Sequence, residues 1–278
     1  MSVRHGREFL AIPGPTTIPD EVLRAMNRPA VDIYSGGLVH LTDSCLADLK
    51  PIFSTAGRVY VYAANGHGAW EAALCNVLSR GDKILVAQSG LFAVGWGEMA
   101  KVMGVEVEIL PGDWRRAVDP AALEARLKAD TGAEIKAVLT VQIDTASSVV
   151  NDIAGLRKAI DAAGHDALFL VDTIASLATM PFEMDAWGVD VTVAGSQKGL
   201  MTPPGLGLAM SVWMKVSGIG GGGTAGDEVD HLGGAAAEGV SCLPARRRMG
   251  RSRAAGHECR HQRTLRRSIG PPNPPAGP

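Results

Sequence analysis

The stretch Gly188 to Gly207, GVDVTVAGSQKGLMTPPGLG, decides the fold. Val189, Val191 and Val193 are β-branched and apolar in a short run, the pattern of a buried strand. The run breaks at Ala194-Gly195-Ser196, Gln197 and Lys198 follow, and a loop rich in Gly and Pro comes next. Lys198 is the strong cation at this strand end. An ammonium partly stripped of water there has a lowered pKa and becomes a nucleophile. Read alone, the segment also fits an ordinary surface Lys just past a strand, the commoner case.

Upstream, Ala167 to Ser176 reads ALFLVDTIAS, a second continuous apolar run, ending in the carboxylate Asp172. Between the two runs lies a segment of crossover size, Leu177 to Gly188. In a parallel sheet both strands deliver their ends to the same carboxyl edge, where α/β folds place ligands. Asp172 and Lys198 then face one crevice. An amine and a carboxylate so placed suit pyridoxal phosphate, the Lys forming a Schiff base and the Asp pairing with the protonated ring nitrogen. An Asp at a strand end also fits a simple cap for a following helix.

SGSQKG-type sequence after a VDTIAS-type strand resembles the class V aminotransferases of pyridoxal phosphate, closest to the serine–glyoxylate and alanine–glyoxylate enzymes. The resemblance runs from about Pro13 to about Met210 and rests on several separated motifs in one order. It implies a three-layer α/β sandwich around a mostly parallel sheet, the large domain of the type I transferase fold. It implies transfer of an amino group from L-serine or L-alanine to glyoxylate, giving glycine, in a homodimer. Lys198 would hold the cofactor, take the α proton as general base and return it at the cofactor's C4′ carbon as general acid. Asp172 would stabilise the ring cation.

Composition agrees with a folded domain. The 278 residues are 46% apolar with a net charge of −2, which gives no basic bias toward nucleic acid. Cys45, Cys75, Cys242 and Cys259 lack CxxC spacing. That pattern suggests a reducing, cytoplasmic setting without structural zinc. Met1 to Glu8 lacks an apolar signal region, and no run approaches the roughly 20 apolar residues of a membrane helix.

Along the chain, residues 1–20 read as an extended arm. Its PGPTTIP (Pro13 to Pro19) is too rich in Pro for helix or strand. In the resembled family this lead-in lies near the substrate; on its own it is equally a surface loop. Asp20 is placed to cap a short helix with Val22, Leu23 and Met26 on one face. A longer helix is expected over Asp43 to Phe53. The strand Val59 to Tyr62 stops at AANGHG, and a helix follows from Ala69 with Trp70, Leu74, Val77 and Leu78 inward. A strand, a Gly-rich turn and a helix N-terminus make an anion site. The resemblance puts Asn65, Gly66 and His67 against the cofactor's phosphate and ring, although NGHGAWE mixes two family variants and His67 also fits a plain loop role.

Lys83 to Ala87 reads as a strand, and the helix after Gly90 carries Phe92, matched to an aromatic ring that stacks on the pyridine. A half-exposed strand is expected at Val105 to Ile109, and Asp119-Pro120 opens a helix. The strand Val138 to Val141 leads to Thr145, matched to a residue that hydrogen-bonds the cofactor. Gln142 and Ser148 depart from the family's usual His and Gly. If that position has φ > 0, Ser148 is strained by about 1 kcal/mol or more. Asp152 to Gly164 is an amphipathic helix. Gln197 matches a further cofactor contact, and Leu206 to Val212 reads as a last strand.

The large domain is thus expected over residues 21–215. From 216 to 278 the pattern fails: a glycine run, RRR at Arg246 to Arg248, and PPNPPAGP at the end. This composition predicts disorder, in place of the family's second, smaller domain. An out-of-frame reading of a G+C-rich gene would produce it; a basic tail for an acidic partner is the alternative. Two further readings stay open for the chain: a cysteine desulfurase or other class V lyase, which needs a mobile Cys, and a non-catalytic remnant.

Overall fold

The computed structural model describes residues 10–33 and 35–212. The N-terminal arm leads to α1 (Asp20–Met26) and α2 (Gly37–Phe53). Then follow β1 (Arg58–Ala63), α3 (Gly66–Val77), β2 (Lys83–Ala87), α4 (Leu91–Val102), β3 (Glu106–Leu110) and α5 (Pro120–Ala129). After these come β4 (Ile135–Val141), a short ribbon of β5 (Ile143–Asp144) and β6 (Val149–Val150), and α6 (Ile153–Ala162). The last strands are β7 (Leu168–Asp172), β8 (Val191–Gly195) and β9 (Leu206–Ser211).

Seven strands form one sheet in the order β1-β9-β8-β7-β4-β2-β3. Pairings from β8 to β3 are parallel, whereas β9 runs antiparallel to both of its neighbours. Because side chains alternate along a strand, each central strand feeds two cores. On β2, Ile84 and Val86 join the core under α3 and α4, while Leu85 and Ala87 join the core under α2, α5 and α6. On β7, Leu168 and Leu170 face the first core, and Phe169 and Val171 the second. Strands buried on both faces are almost wholly apolar, as LFLV is; VTVA carries one polar residue, Thr192, whose buried hydroxyl donates to the Val171 carbonyl at 2.8 Å. The result is the expected three-layer α/β sandwich.

The same alternation sets the position of Asp172. It follows Leu168 and Leu170 in step, so it belongs to the α3/α4 face, at the carboxyl edge and opposite Val141 of β4. β7 and β8 are parallel neighbours, as expected. The crossover between them consists of turns, with no regular helix. Leu177, Phe182 and Met184 still anchor it to the core beneath.

Several boundaries differ from the sequence reading. α2 starts at Gly37 rather than Asp43. α3 starts at Gly66 rather than Ala69, because the Asn65 side chain accepts from the Gly68 N–H at 3.2 Å and caps the helix earlier. Asp20 lies inside α1; the N-cap is Pro19, with no side-chain cap bond. α1 buries none of its residues, and Leu23 and Met26 are exposed. Ser148 does have φ 60°, the left-handed conformation that makes the family's Gly informative. The readings of 216–278 as disordered and out of frame, with Cys242 and Cys259, lie outside the described residues, as do residues 1–9 of the arm.

Candidate active site

Lys198, Asp172, Asn65, Gly66, His67, Phe92, Thr145 and Gln197 all line one cavity of about 210 Å³. They arrive from four places along the sheet's carboxyl edge: the β1–α3 turn, the start of α4, the β5–β6 ribbon, and the ends of β7 and β8.

The α3 end is built as an anion site. With Asn65 capping Gly68, the N–H groups of Gly66 and His67 remain as end-of-helix donors. A Cβ on Gly66 would fall 2.5 Å from Ile174 Cδ1, so a larger residue there would have to push that side chain aside.

Asp172 is 2% exposed. Its Oδ1 accepts from the Ile174 N–H at 2.6 Å and its Oδ2 from the Trp70 indole Nε1–H at 2.7 Å. Burial pushes its pKa up to about 7 and the Asp144 charge adds to that; the two N–H donors and Lys198 oppose it. Lys198 is partly buried. Loss of water lowers its pKa, while Asp172 opposes the shift. The Lys198 ammonium donates to the Pro13 carbonyl.

That bond brings the lead-in to the site. Thr16 N–H donates to the Gln197 carbonyl at 3.0 Å, and Thr16 Oγ1 donates to the Lys198 carbonyl at 3.1 Å. Gly14, at φ 114°, lies so close that a Cβ would meet Lys198 Nζ at 2.7 Å. The lead-in is therefore a wall of the site and not a distant surface loop.

Sequence reasoning missed two residues. Trp70, read only as an apolar helix position, is 2% exposed and is the partner of Asp172. It stacks on Trp96 with centroids 5.9 Å apart and meets His67 edge-on at 4.8 Å. A buried indole N–H needs an acceptor, and that was the available signal. Asp144, fully buried, accepts from the Phe92 and Ala93 N–H groups at 3.0 Å each and from Ala146 at 3.1 Å. It holds the start of α4 and the Thr145 turn together. Gln142, which replaces a usual His, is structural: it accepts from Ser176 Oγ at 2.6 Å and donates to the Pro181 carbonyl at 3.0 Å.

The cavity brings together a desolvated amine, a buried carboxylate, a helix N-terminus and an aromatic ring. Residues 55–231 match the family profile described as Aminotransferase class-V. The chain belongs to the class V aminotransferase family. This class V match continues past Met210, where the resemblance read from the sequence stopped. A serine–glyoxylate aminotransferase of Methylorubrum extorquens is 46% identical over 206 residues, covering 74% of this chain and 51% of that protein. An L-aspartate–glyoxylate aminotransferase of Paracoccus denitrificans is 41% identical, covering 71% and 50%. Among solved structures, an alanine–glyoxylate aminotransferase from Nostoc sp. superposes with a TM-score of 0.73 at 25% identity, covering 84% of this chain and 62% of that one. The chain spans about half the length of the curated relatives it matches. As for the desulfurase alternative, neither Cys45 nor Cys75 lines the cavity.

Proposed function

We propose that this class V chain binds pyridoxal 5′-phosphate and serves transamination from a small amino acid, L-serine or L-alanine, to glyoxylate, giving glycine. The observation that carries the reading is the convergence of Asp172 and Lys198 on one cavity floored by the N-terminus of α3. The residues fit the group. Gln197 Oε1 is buried without a protein partner beside this cavity, and the Asp172 carboxylate has lone pairs left after its two bonds.

Asn65, Gly66 and His67 would hold the phosphate, Phe92 would cover one ring face, Thr145 and Gln197 would hydrogen-bond the ring's edge, and Asp172 would pair with the ring nitrogen. When bound, the cofactor supplies an aldehyde that condenses with amines and a ring that accepts an electron pair. Desolvation keeps Lys198 Nζ ready to lose its proton, so it would serve as nucleophile and then carry the α proton of the amino acid to the cofactor's C4′ carbon. Burial raises the Asp172 pKa, and a protonated ring nitrogen beside the carboxylate would oppose that shift. Serine, alanine and aspartate donors all occur among the relatives' names, so the donor rests on assay.

The exposed apolar side chains Ile33, Leu41, Leu23 and Met26 along the N-terminal segment support a homodimer, a second copy covering them. Four cysteines without paired spacing support a cytoplasmic setting. Among the described residues no helix is long and apolar enough to cross a membrane. The test is glycine formation from glyoxylate with each donor in turn, with added pyridoxal 5′-phosphate. No glycine from any donor, by a protein shown to bind the cofactor, would reject the transaminase reading.

A further inference from the structure

Helix α3 meets the cavity twice. Its first residues form the anion end, and one turn later Trp70 reaches the carboxylate at the other end. We propose that Trp70 is a positioning residue: its indole N–H fixes the plane of the Asp172 carboxylate and so ties the ring-nitrogen end of the cavity to the anion end through one rigid turn of α3. This rests on the reading of the cavity as a pyridoxal phosphate site.

A carboxylate held by one donor swivels about that bond, whereas donors on different oxygens fix its plane. Asp172 has one on each oxygen. The Ile174 N–H is only two residues away and moves with the strand end. Trp70 is 102 residues distant and belongs to another layer, so of these two donors it alone references the carboxylate to α3. The indole is itself held. It lies nearly parallel to Trp96, at an interplanar angle of 16°, with Phe92 edge-on at 6.2 Å. Trp96 is fully buried, so this backing cannot swing out. The indole is a donor only. It therefore occupies a lone pair on Oδ2 without competing for the proton of a ring N–H⁺.

The decisive variant is Trp70→Phe, which keeps an aromatic ring and deletes the N–H. Affinity is measured on cofactor-free protein for pyridoxal 5′-phosphate and for its analogue with C–H in place of the ring nitrogen. Trp70→Phe is expected to weaken the first about ten- to a hundredfold and the second less than about twofold, the scale of one hydrogen bond to a charged group. Equal losses for both ligands would make Trp70 merely structural and overturn the proposal. No loss for either would overturn it while leaving the site assignment intact. Failure of the unaltered protein to bind either ligand would reject the site assignment itself, and this inference with it. A second readout needs no ligand. The ¹⁵N–¹H resonance of Trp70 Nε1 is expected to shift as Asp172 titrates and to lose that shift in Asp172→Asn; a resonance indifferent to pH would contradict the proposal.

Discussion

Asp144→Ala offers a quantitative test of how the cavity is held. The carboxylate accepts three backbone N–H groups, from Phe92, Ala93 and Ala146. Truncation leaves them without a side-chain acceptor, but unequally. Ala93 is buried, so its N–H stays dry; Phe92 is half-buried; Ala146 is exposed and its N–H regains water. A buried orphan donor costs about 1–3 kcal/mol and a lost helix cap about 1 kcal/mol, overlapping terms here because the two α4 donors are the cap. Removing a charge that raises the Asp172 pKa gives a little back. The expected net loss is about 2–3 kcal/mol. Asp144→Asn keeps one acceptor oxygen but turns an NH₂ group on a donor, and should lose about 1 kcal/mol. Urea unfolding of the cofactor-free protein reads both. A loss below about 0.5 kcal/mol for Asp144→Ala, the size of an ordinary surface change, would refute the view that this carboxylate clasps α4 to the Thr145 turn.

Other outcomes follow from the same geometry. Asp172 is pushed up to about 7 in the folded protein, against about 3.9 unfolded, so the folded state holds more protons between those values. Stability of the cofactor-free protein should therefore fall as pH rises from about 4 to about 7 and level off above, by up to roughly 4 kcal/mol. Asp172→Asn should flatten that limb in thermal unfolding; an unchanged slope would assign it to another group. Asp130 is affected by burial, which raises it, yet the Ile135 N–H and the His165 ring bring it down to about 2. Its contribution should be lost as pH falls from about 4 to about 2, and Asp130→Asn should remove that acid limb. Gly14→Ala places a Cβ 2.6–2.9 Å from the end of Lys198 at φ 114°. It should cost about 1–3 kcal/mol in backbone strain. It should also displace the amine and slow cofactor capture, as followed by visible absorbance; unaltered capture would mean the lead-in is no wall of the site.

Much of this was legible in the chain. LFLVD and VTVAG announce strands buried on both faces, because Thr192 is the one polar residue in them before the carboxyl edge. Their parallel pairing then brings Asp172 and Lys198 to one side. The strand, glycine turn and helix around Asn65, Gly66 and His67 were legible as a weak anion-site pattern, and the family resemblance singled out those three residues, which do line the cavity. What escaped needed partners remote in sequence. Trp70 fits any apolar helix stripe, and only the fold reveals that its N–H meets Asp172. Asp144 looks like a loop carboxylate until α4 docks on it. The antiparallel turn of β9 was equally hidden, since alternation and length carry no direction. The β7–β8 crossover had the length for a helix, but Pro181 and Gly188 break it into turns.

The central claim is that the Lys198 amine and the Asp172 carboxylate bracket one cofactor. The most direct measurement is borohydride reduction of the protein mixed with pyridoxal 5′-phosphate, followed by peptide mass spectrometry. The account predicts one dominant phosphopyridoxyl mark, on Lys198, that weakens in Asp172→Ala and vanishes in Lys198→Ala. Marking spread over surface lysines, or absent from Lys198, would contradict it.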